Sequence, residues 1–592
     1  MTQIVRVKNK KGYVFLADLI TILIFIFLGI AFINFYNVGS LPYQENPRID
    51  TSLSALPKYA LLSLVRSIIA LFISYCAAII IGTIVSQSKK IESFMLPILD
   101  VLQSLPVIAF LPSFVLALIA IFQNNRWGLE IACILTIFMG QVWNLIFAYY
   151  ESKVTMKKEY VSMANLLQLN KIQKFLFIDL PNGAKPLIYN GMMSMAGGWF
   201  FLTTSEAFTL SQKDFRLPGL GSFIAETFES EQYSNFACAI VTLGIIIVGT
   251  DAFLWRPLIS WINKREGAQK GNGSWFLSLL ERSKILKLLI YLPKKLFLLA
   301  KEKADDHIDT EKTFLFFLHF LGKLKFKLKG RKYKNQNEVP VSNWSTRLKW
   351  LSTFLIGGVF FSILPLLPKF GQSLISISSL DLIELVGAVL TTGLRVLAVL
   401  ILSTLWTLPL GLYLGLNKKL EKNLQPIIQN LAAFPAPVFF PLLTLVLINA
   451  GQSPELISIL LMTAGSQWYL LFNVMGGASR IPSDLKFVSN IHGLNYFQKL
   501  RKLYLPAILP SLITGWMTAA GGAWNASMLA EIVSYPTGMY AISGIGSELT
   551  IATVSGDYPK LIAGIICFIV TLIMINNIVW RPLNEYSQKI YE

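Results

Sequence analysis

Long apolar stretches alternate with short polar segments along most of this chain. A run of about 20 apolar residues is long enough to cross a lipid bilayer as a helix. The first part of the chain has such stretches near 14–36, 60–87, 93–122, 127–150, 185–209 and 237–262. The later part has them near 348–368, 382–416, 424–449, 453–477, 510–534 and 559–582. The pattern predicts an all-α membrane protein with two tandem bundles of about six transmembrane helices each.

The two halves also repeat one another residue by residue. An offset of 329 places Gly411 and Pro435 on Gly82 and Pro106. Farther along, an offset of 325 aligns a larger set, in which Pro181, Trp199, Glu206 and Gly219 match Pro506, Trp524, Glu531 and Gly544. Duplicated membrane domains of this kind are common in transporters. We therefore divide the chain into a first repeat at 1–262 (core 60–262), a linker at 263–347 and a second repeat at 348–592 (core 382–582).

Basic residues concentrate in the segment between the repeats. The formal net charge is +19, and residues 264–349 hold 20 Lys and Arg against 8 Asp and Glu. Basic loops stay on the cytoplasmic side of a membrane, so we expect the N-terminus, the linker and the C-terminus in the cytoplasm and both repeats in the same orientation. Within the linker, two basic amphipathic stretches suit helices that lie on an anionic bilayer surface; a simple basic tether is the alternative. Membrane topology accounts for the charge without a nucleic-acid partner.

The most specific motif lies between the fourth and fifth predicted spans of each repeat. The copies, at 159–181 and 484–506, each read as a short amphipathic helix, a turn and a second helix that stops before a proline. Gly493 suits the left-handed turn position and Asn495 suits the cap of the following helix. The candidate residues of the two loops are Ala164, Gln168, Asn170, Pro181, Ser489, Gly493, Asn495 and Pro506.

These loops resemble the EAA loop of importer-type ABC transporter permeases, and the whole chain resembles the duplicated permeases of the nitrate, sulfonate, taurine and bicarbonate anion family. Gln168 departs from the family pattern, which has glycine at this position. The resemblance implies a type I importer fold in a bacterial inner membrane. It also implies that the loops act as coupling helices for two copies of an ABC ATPase subunit, and that an extracellular or periplasmic binding protein delivers the solute.

ATP hydrolysis is not expected from this chain itself. No Gly-x-x-x-x-Gly-Lys-Ser/Thr phosphate loop occurs in the sequence. The expectation is a chain that is not an enzyme and binds no cofactor, with ATP and Mg²⁺ held by partner subunits. The four cysteines and three histidines show no metal-ligand spacing.

Charged residues inside apolar spans are costly and mark candidate sites for function. Arg66 and Arg395 form one equivalent pair in the two repeats, and Glu206 and Glu531 form another. The arginines could give an anion pathway a positive vestibule, or each could pair with a glutamate and hold helices together. Trp199 and Trp524 are further pathway candidates, although tryptophans in such positions are more often packing anchors than ligands.

Two prolines interrupt the third predicted span, Pro106 and Pro112, and Pro435 and Pro441 interrupt the ninth. Broken helices at matching places favour a transport pathway, although a simple kink is the alternative. The predicted function is thus a permease subunit of an ATP-driven importer for a small solute, which the resemblance suggests is an anion. An ion-coupled secondary transporter of duplicated design is the main rival, with Glu206 and Glu531 as its only obvious proton-exchanging groups.

Overall fold

The computed structural model describes residues 2–43, 47–104, 106–122, 125–169, 171–210, 213–265, 274–281, 283, 377–535 and 538–589. The predicted span at 348–368 and most of the linker lie outside the described residues. Within the described part, nearly all regular structure is helical, and the only strands form two short antiparallel hairpins. The predicted all-α membrane fold is confirmed.

The first repeat contains eleven of the described helices. They are α1 Thr2–Ser40, α2 Leu56–Val85, α3 Lys89–Ser104, α4 Val107–Ile121, α5 Trp127–Val154, α6 Lys158–Leu166, α7 Lys171–Lys174, α8 Leu180–Glu206, α9 Leu220–Glu229, α10 Tyr233–Thr250 and α11 Arg256–Arg265. A short helix, α12 Trp275–Leu280, follows in the linker. The hairpin strands β1 Thr209–Leu210 and β2 Lys213–Asp214 lie between α8 and α9, with Thr209 opposite Asp214.

The second repeat reproduces α2 to α11 in the same order. Its helices are α13 Ser379–Leu416, α14 Lys418–Ala432, α15 Phe440–Asn449, α16 Pro454–Ser479, α17 Ser483–Ile491, α18 Tyr496–Lys499, α19 Leu505–Ala530, α20 Ile545–Ser555, α21 Tyr558–Ile575 and α22 Arg581–Lys589. Its hairpin pairs β3 Ile532–Tyr535 with β4 Gly538–Ala541. Short 3₁₀ turns at Leu53–Ala55 and Ala436–Phe439 precede α2 and α15.

Eight described helical stretches are long and apolar enough to cross a membrane, and a bent pair at Asn423–Ala432 and Ala436–Asn449 makes a ninth. Nine of the predicted spans correspond to these stretches. The predicted span at 185–209 corresponds to α8, which has the length of a span but is less apolar. The one at 93–122 corresponds to α3, which ends at Ser104, and α4, which begins at Val107.

The predicted breaks in the third and ninth spans fall at one proline of each pair. Pro106 and Pro435 stand immediately before new helical segments, and the axis turns by 65° in the second repeat. Pro112 lies inside α4 and Pro441 lies in the first turn of α15. A proline in the first turn leaves no internal hydrogen bond unmade, so Pro441 does not interrupt its helix.

In the part of the chain that the structure describes, four short π-helical segments occur at matching places, at Phe175–Asp179, Asp251–Trp255, Leu500–Tyr504 and Asn576–Trp580. Each is followed two residues later by a proline: Pro181, Pro257, Pro506 and Pro582. Proline has no N–H to donate to the carbonyl four residues earlier, which here lies inside the π-helical segment. Widened turns are a recognised response to such a missing bond, and these turns let each long helix continue past its proline.

The core of each repeat is a three-helix unit, α2, α5 and α8 in the first and α13, α16 and α19 in the second. Small residues allow the close approach. A Cβ on Gly82 would lie 2.9 Å from Tyr149, and one on Gly411 would lie 2.7 Å from Val474. Each unit has one end formed by the N-termini of the first two helices and the C-terminus of the third. We call it the ion-pair end, and the opposite end, which carries α6 or α17, the loop end.

Candidate functional site

A buried ionic cluster closes the ion-pair end of the first repeat. Arg66 of α2 donates two hydrogen bonds to Glu130 of α5, both 2.6 Å long, and a third of 2.7 Å to Glu206 at the end of α8. Ser63, one turn before Arg66, donates to both oxygens of Glu206. All four side chains are fully buried. A bidentate guanidinium–carboxylate pair fixes both distance and orientation, so the cluster joins the three core helices.

The second repeat builds the same cluster from equivalent residues. Arg395 donates to both oxygens of Glu455 at 2.7 and 2.9 Å, and to Glu531 at 2.8 Å. Thr392 takes the place of Ser63 and donates to Glu531 at 2.6 Å. One difference separates the copies, because Glu455 is 58% exposed whereas Glu130 is buried.

The segments that follow α8 and α19 also form hydrogen bonds with these clusters. Arg66 also donates to the carbonyl of Pro218, and Arg395 donates to that of Ser543. The amides of Gly221 and Gly546 each donate to the central glutamate at 2.8 Å. A Cβ on Gly219 or Gly544, one residue before the next helix, would lie 2.4 Å from that carboxyl group. Only glycine leaves room for the loop to close over the glutamate.

Of the two interpretations offered for the arginines, the geometry favours the one in which each arginine pairs with a glutamate. Neither guanidinium is free to face a vestibule, since carboxylates and a backbone carbonyl occupy its donors. Trp199 and Trp524 are also buried, and Trp524 packs edge-on against Phe568 with the ring centroids 5.0 Å apart. The structure thus places the six candidate pathway residues in packed, bonded positions.

The sequence analysis did not identify Glu130 and Glu455, each of which accepts hydrogen bonds from the arginine of its own repeat. The signal was present, because these residues are separated by the same 325 positions as Glu206 and Glu531. Each stands in the first turn of a helix, where an acidic residue is common for reasons of the helix dipole alone, so nothing drew attention to the match.

At the loop end, α6 and α17 close with the same hydrogen-bonded turn. The amide of Leu169 donates to the carbonyl of Ala164, and that of Leu494 donates to the carbonyl of Ser489. This Schellman arrangement requires a left-handed residue one position earlier. Gly493 has φ of 62° there, as predicted, and Gln168 has φ of 50° at the equivalent position.

The second loop then continues into a well-capped helix. The side chain of Asn495 accepts from the amide of Gln498, whose own side chain accepts from the amide of Asn495, so the predicted cap is present. Asn170, its counterpart, lies outside the described residues. Ala164 and Ser489 are buried against the bundle, and Pro181 and Pro506 enter α8 and α19.

The faces of the loops that point away from the bundle are apolar and exposed. Leu166 is 85% exposed, and Phe487, Ile491 and Phe497 are each 65% exposed or more. Isolated exposed apolar side chains are ordinary, but a cluster of them on a short helix is typical of a surface that binds another protein.

The segments that follow the broken helices cross between repeats. The 3₁₀ turn at Ala436–Phe439 contacts α8 and α9 of the first repeat, and α4 contacts α19 and α20 of the second. The amide of Val107, the first residue of α4, donates to the Asn525 side chain of α19 at 3.0 Å. The two core units therefore contact one another through α4 of the first repeat and the 3₁₀ turn of the second.

The family described as binding-protein-dependent transport system inner membrane component matches residues 74–256 and again 407–579, together more than half of the chain. The bicarbonate transport system permease protein CmpB of Synechococcus elongatus is 35% identical over 136 residues, covering 23% of this chain and 46% of the relative. The nitrate import permease protein NrtB of the same species is 30% identical over 129 residues, covering 22% and 45%.

The chain thus spans about half the length of these curated relatives in each alignment. No solved structure matches the chain. The two family matches fall on the two structural repeats and confirm the predicted duplication. The chain belongs to the family of binding-protein-dependent transport system inner membrane components, of which it contains two copies in tandem.

Proposed function

We propose that this chain is the membrane-spanning permease subunit of an ATP-driven importer for a small anion. One chain supplies two equivalent permease units, so it needs no second copy of itself. The observation that carries the proposal is the pair of matching loops, 158–181 and 483–506, each presenting exposed apolar side chains at the loop end of a duplicated bundle.

In this proposal each loop docks one ABC ATPase subunit on the cytoplasmic side. The π-helical segments and prolines at the ends of the loops lead directly into α8 and α19, so movement of a loop is passed to a long core helix. These two helices contact the crossing segments of the opposite repeat. ATP binding by the partners would move the two units relative to one another and alternate access to the pathway between them.

An anion as the transported solute is supported by the relatives, whose names specify bicarbonate and nitrate. The family description names a binding protein, and the proposal places its delivery of the solute at the ion-pair end, opposite the loops. The proposal places ATP and Mg²⁺ on the partner subunits and the N-terminus, linker and C-terminus in the cytoplasm.

The rival secondary transporter would need acids that exchange protons within the membrane. Glu206 and Glu531 were its candidates, and both are held by an arginine, a hydroxyl group and a glycine amide. A carboxylate that accepts this many buried hydrogen bonds is held in one position by its surroundings. The geometry therefore favours a structural role for both residues over proton exchange.

The test is reconstitution of the chain with its ATPase subunits in liposomes, with ATP hydrolysis and anion uptake measured together. We expect Phe487→Ser, in the second loop, to lower both at unchanged amounts of folded chain. The matched control is Leu53→Ser, which removes an apolar side chain of similar exposure (50%) at the opposite end of the bundle. Equal effects of the two variants would contradict the assignment of the loops.

A further inference from the structure

A polar cavity lies behind the loop of the first repeat. Its volume is about 280 Å³, and it is bounded by the C-terminal ends of α2 and α5 and by the loop itself. The polar lining consists of Thr83, Ser86, Gln87, Lys153, Lys174 and Asp179. It is too small for a drug-sized molecule and large enough for a small ion with a few waters.

Buried polar atoms of the lining lack hydrogen-bond partners within the described part of the chain. Lys153 pairs with one oxygen of Asp179 at 3.2 Å, while the other oxygen, Oδ1, is buried without a partner. Thr83 Oγ1 is likewise buried, and its neighbour is the hydroxyl group of Tyr149. Asp179 is only 6% exposed. Buried polar atoms are rarely left unsatisfied, so each such atom needs an explanation.

The second repeat provides an internal comparison, because the same place there is apolar. The offsets of 329 and 325 put Leu412 in place of Thr83, Ala478 in place of Lys153 and Tyr504 in place of Asp179. Leu412 and Ala478 belong to a packed apolar cluster, against which Tyr504 lies.

Helix approach differs accordingly between the repeats. Gly415 replaces Ser86, and α13 comes so close to α16 that a Cβ on Gly415 would lie 2.3 Å from the Met475 carbonyl. The helices of the second repeat therefore pack together at this place without polar groups. The charged residues and the open space of the first repeat need a separate reason.

We propose that this cavity binds a small oxyanion that carries a hydroxyl group, such as hydrogencarbonate or hydrogen phosphate. Lys153 and Lys174 supply positive charge and Thr83 supplies a hydroxyl donor for the oxygens of the anion. The second oxygen of the Asp179 carboxylate is a hydrogen-bond acceptor, so it favours a ligand with a hydroxyl group to donate. Nitrate, which has no such group, lacks this contact. The phosphate monoester headgroup of phosphatidic acid presents the same chemistry.

Binding joins the membrane helices to the loop. Lys174 stands in the loop, while Thr83 and Lys153 stand at the ends of α2 and α5. A bound anion bridges these groups and holds the loop in place. Any resulting change in ATPase stimulation rests on the proposed function, whereas anion binding does not.

The experiment measures thermal unfolding of the full chain alone, in phosphatidylcholine nanodiscs, with phosphate, hydrogencarbonate or nitrate at matched ionic strength. A ligand that binds the folded state raises the unfolding midpoint in proportion to its occupancy. We expect a rise with phosphate or hydrogencarbonate and none with nitrate. In Lys174→Gln the rise is lost. In Lys499→Gln, the same change at the equivalent position of the second repeat, it is kept, because Lys499 bonds to Asn490 instead.

A second variant, Thr83→Val, removes one donor with little change in shape and should move the midpoint response to higher anion concentration. A separate arm adds phosphatidic acid to the nanodiscs without free anion. A midpoint rise there that Lys174→Gln abolishes identifies a lipid as the source of the oxyanion. Absence of any rise in both arms, an equal rise with nitrate, or equal responses in Lys174→Gln and Lys499→Gln would overturn the proposal.

Discussion

At residue 168 the backbone takes a left-handed conformation that glycine adopts at little cost and glutamine does not. At the equivalent residue, Gly493, an added Cβ would have no other atom within 4 Å, so backbone strain alone separates the two residues. A residue with a Cβ is destabilised by about 1 kcal/mol in this conformation. The first loop is therefore held in a turn that its own sequence disfavours.

Exchanging these two residues tests that strain. We expect Gln168→Gly to stabilise the first loop by up to about 1 kcal/mol and Gly493→Gln to destabilise the second by a similar amount. Hydrogen exchange of the amides of α6 and α17 reports the stability of each loop separately. Faster exchange of α6 in Gln168→Gly would show that the left-handed turn is not a source of strain.

Glu130 and Glu455, which pair with the arginines of the two clusters, differ in exposure. We therefore expect their replacement to change the free energy of unfolding by different amounts. Glu130→Gln removes charge from a fully buried pair and should cost about 3 kcal/mol of unfolding free energy. Glu455→Gln removes the exposed partner of Arg395 and should cost about 1 kcal/mol or less. Unfolding in mixed micelles measures both, and equal costs would contradict the buried geometry at Glu130.

Among the elements, α4 depends on a residue of the other repeat for its start. Pro106 breaks the span, and the amide of the buried residue Val107, freed by this break, donates to the Asn525 side chain. In the first repeat the residue equivalent to Asn525 is Phe200, whose side chain has no hydrogen-bond acceptor. The bond to Asn525 therefore has no equivalent at Phe200. The hydrogen bond from Val107 to Asn525 is therefore a polar contact between the two core units that the repeat symmetry does not duplicate.

Replacing Asn525 by leucine leaves the Val107 amide buried and unsatisfied. We expect a loss of about 1–3 kcal/mol of unfolding free energy and a lower anion uptake at equal amounts of folded chain. Asn473→Leu is the matched control, because the Asn473 amide bonds to Tyr469 within its own helix. If the two variants unfold alike, α4 does not depend on the contact between repeats.

Much of this architecture can be predicted from patterns in the sequence. Apolar length predicts the spans, and the repeat offsets pair Pro106 with Pro435 and Gly219 with Gly544 before any contact is seen. Local chemistry predicts the turn at Gly493 and the cap at Asn495. Contacts that join distant elements are not readable in this way. The bond from Val107 to Asn525 and the cavity beside Asp179 depend on which side chains meet in space.

On the scale of the whole molecule, duplication followed by divergence explains where the repeats agree and where they differ. Both ion-pair ends join an arginine, two glutamates and a glycine amide, although one glutamate is buried in the first repeat and its counterpart is exposed in the second. The loop ends differ, with a strained turn and a polar cavity in one repeat and a relaxed turn over an apolar cluster in the other. Two units in one chain can specialise, which two identical chains cannot.

In the proposed function, one chain provides both docking sites for a pair of ATPase subunits. Purification from the native membrane in mild detergent, followed by measurement of the mass of the intact complex, tests it most directly. We predict one copy of this chain with two ATPase subunits. A chain that purifies alone and transports its solute in ATP-free vesicles under an ion gradient would contradict the account.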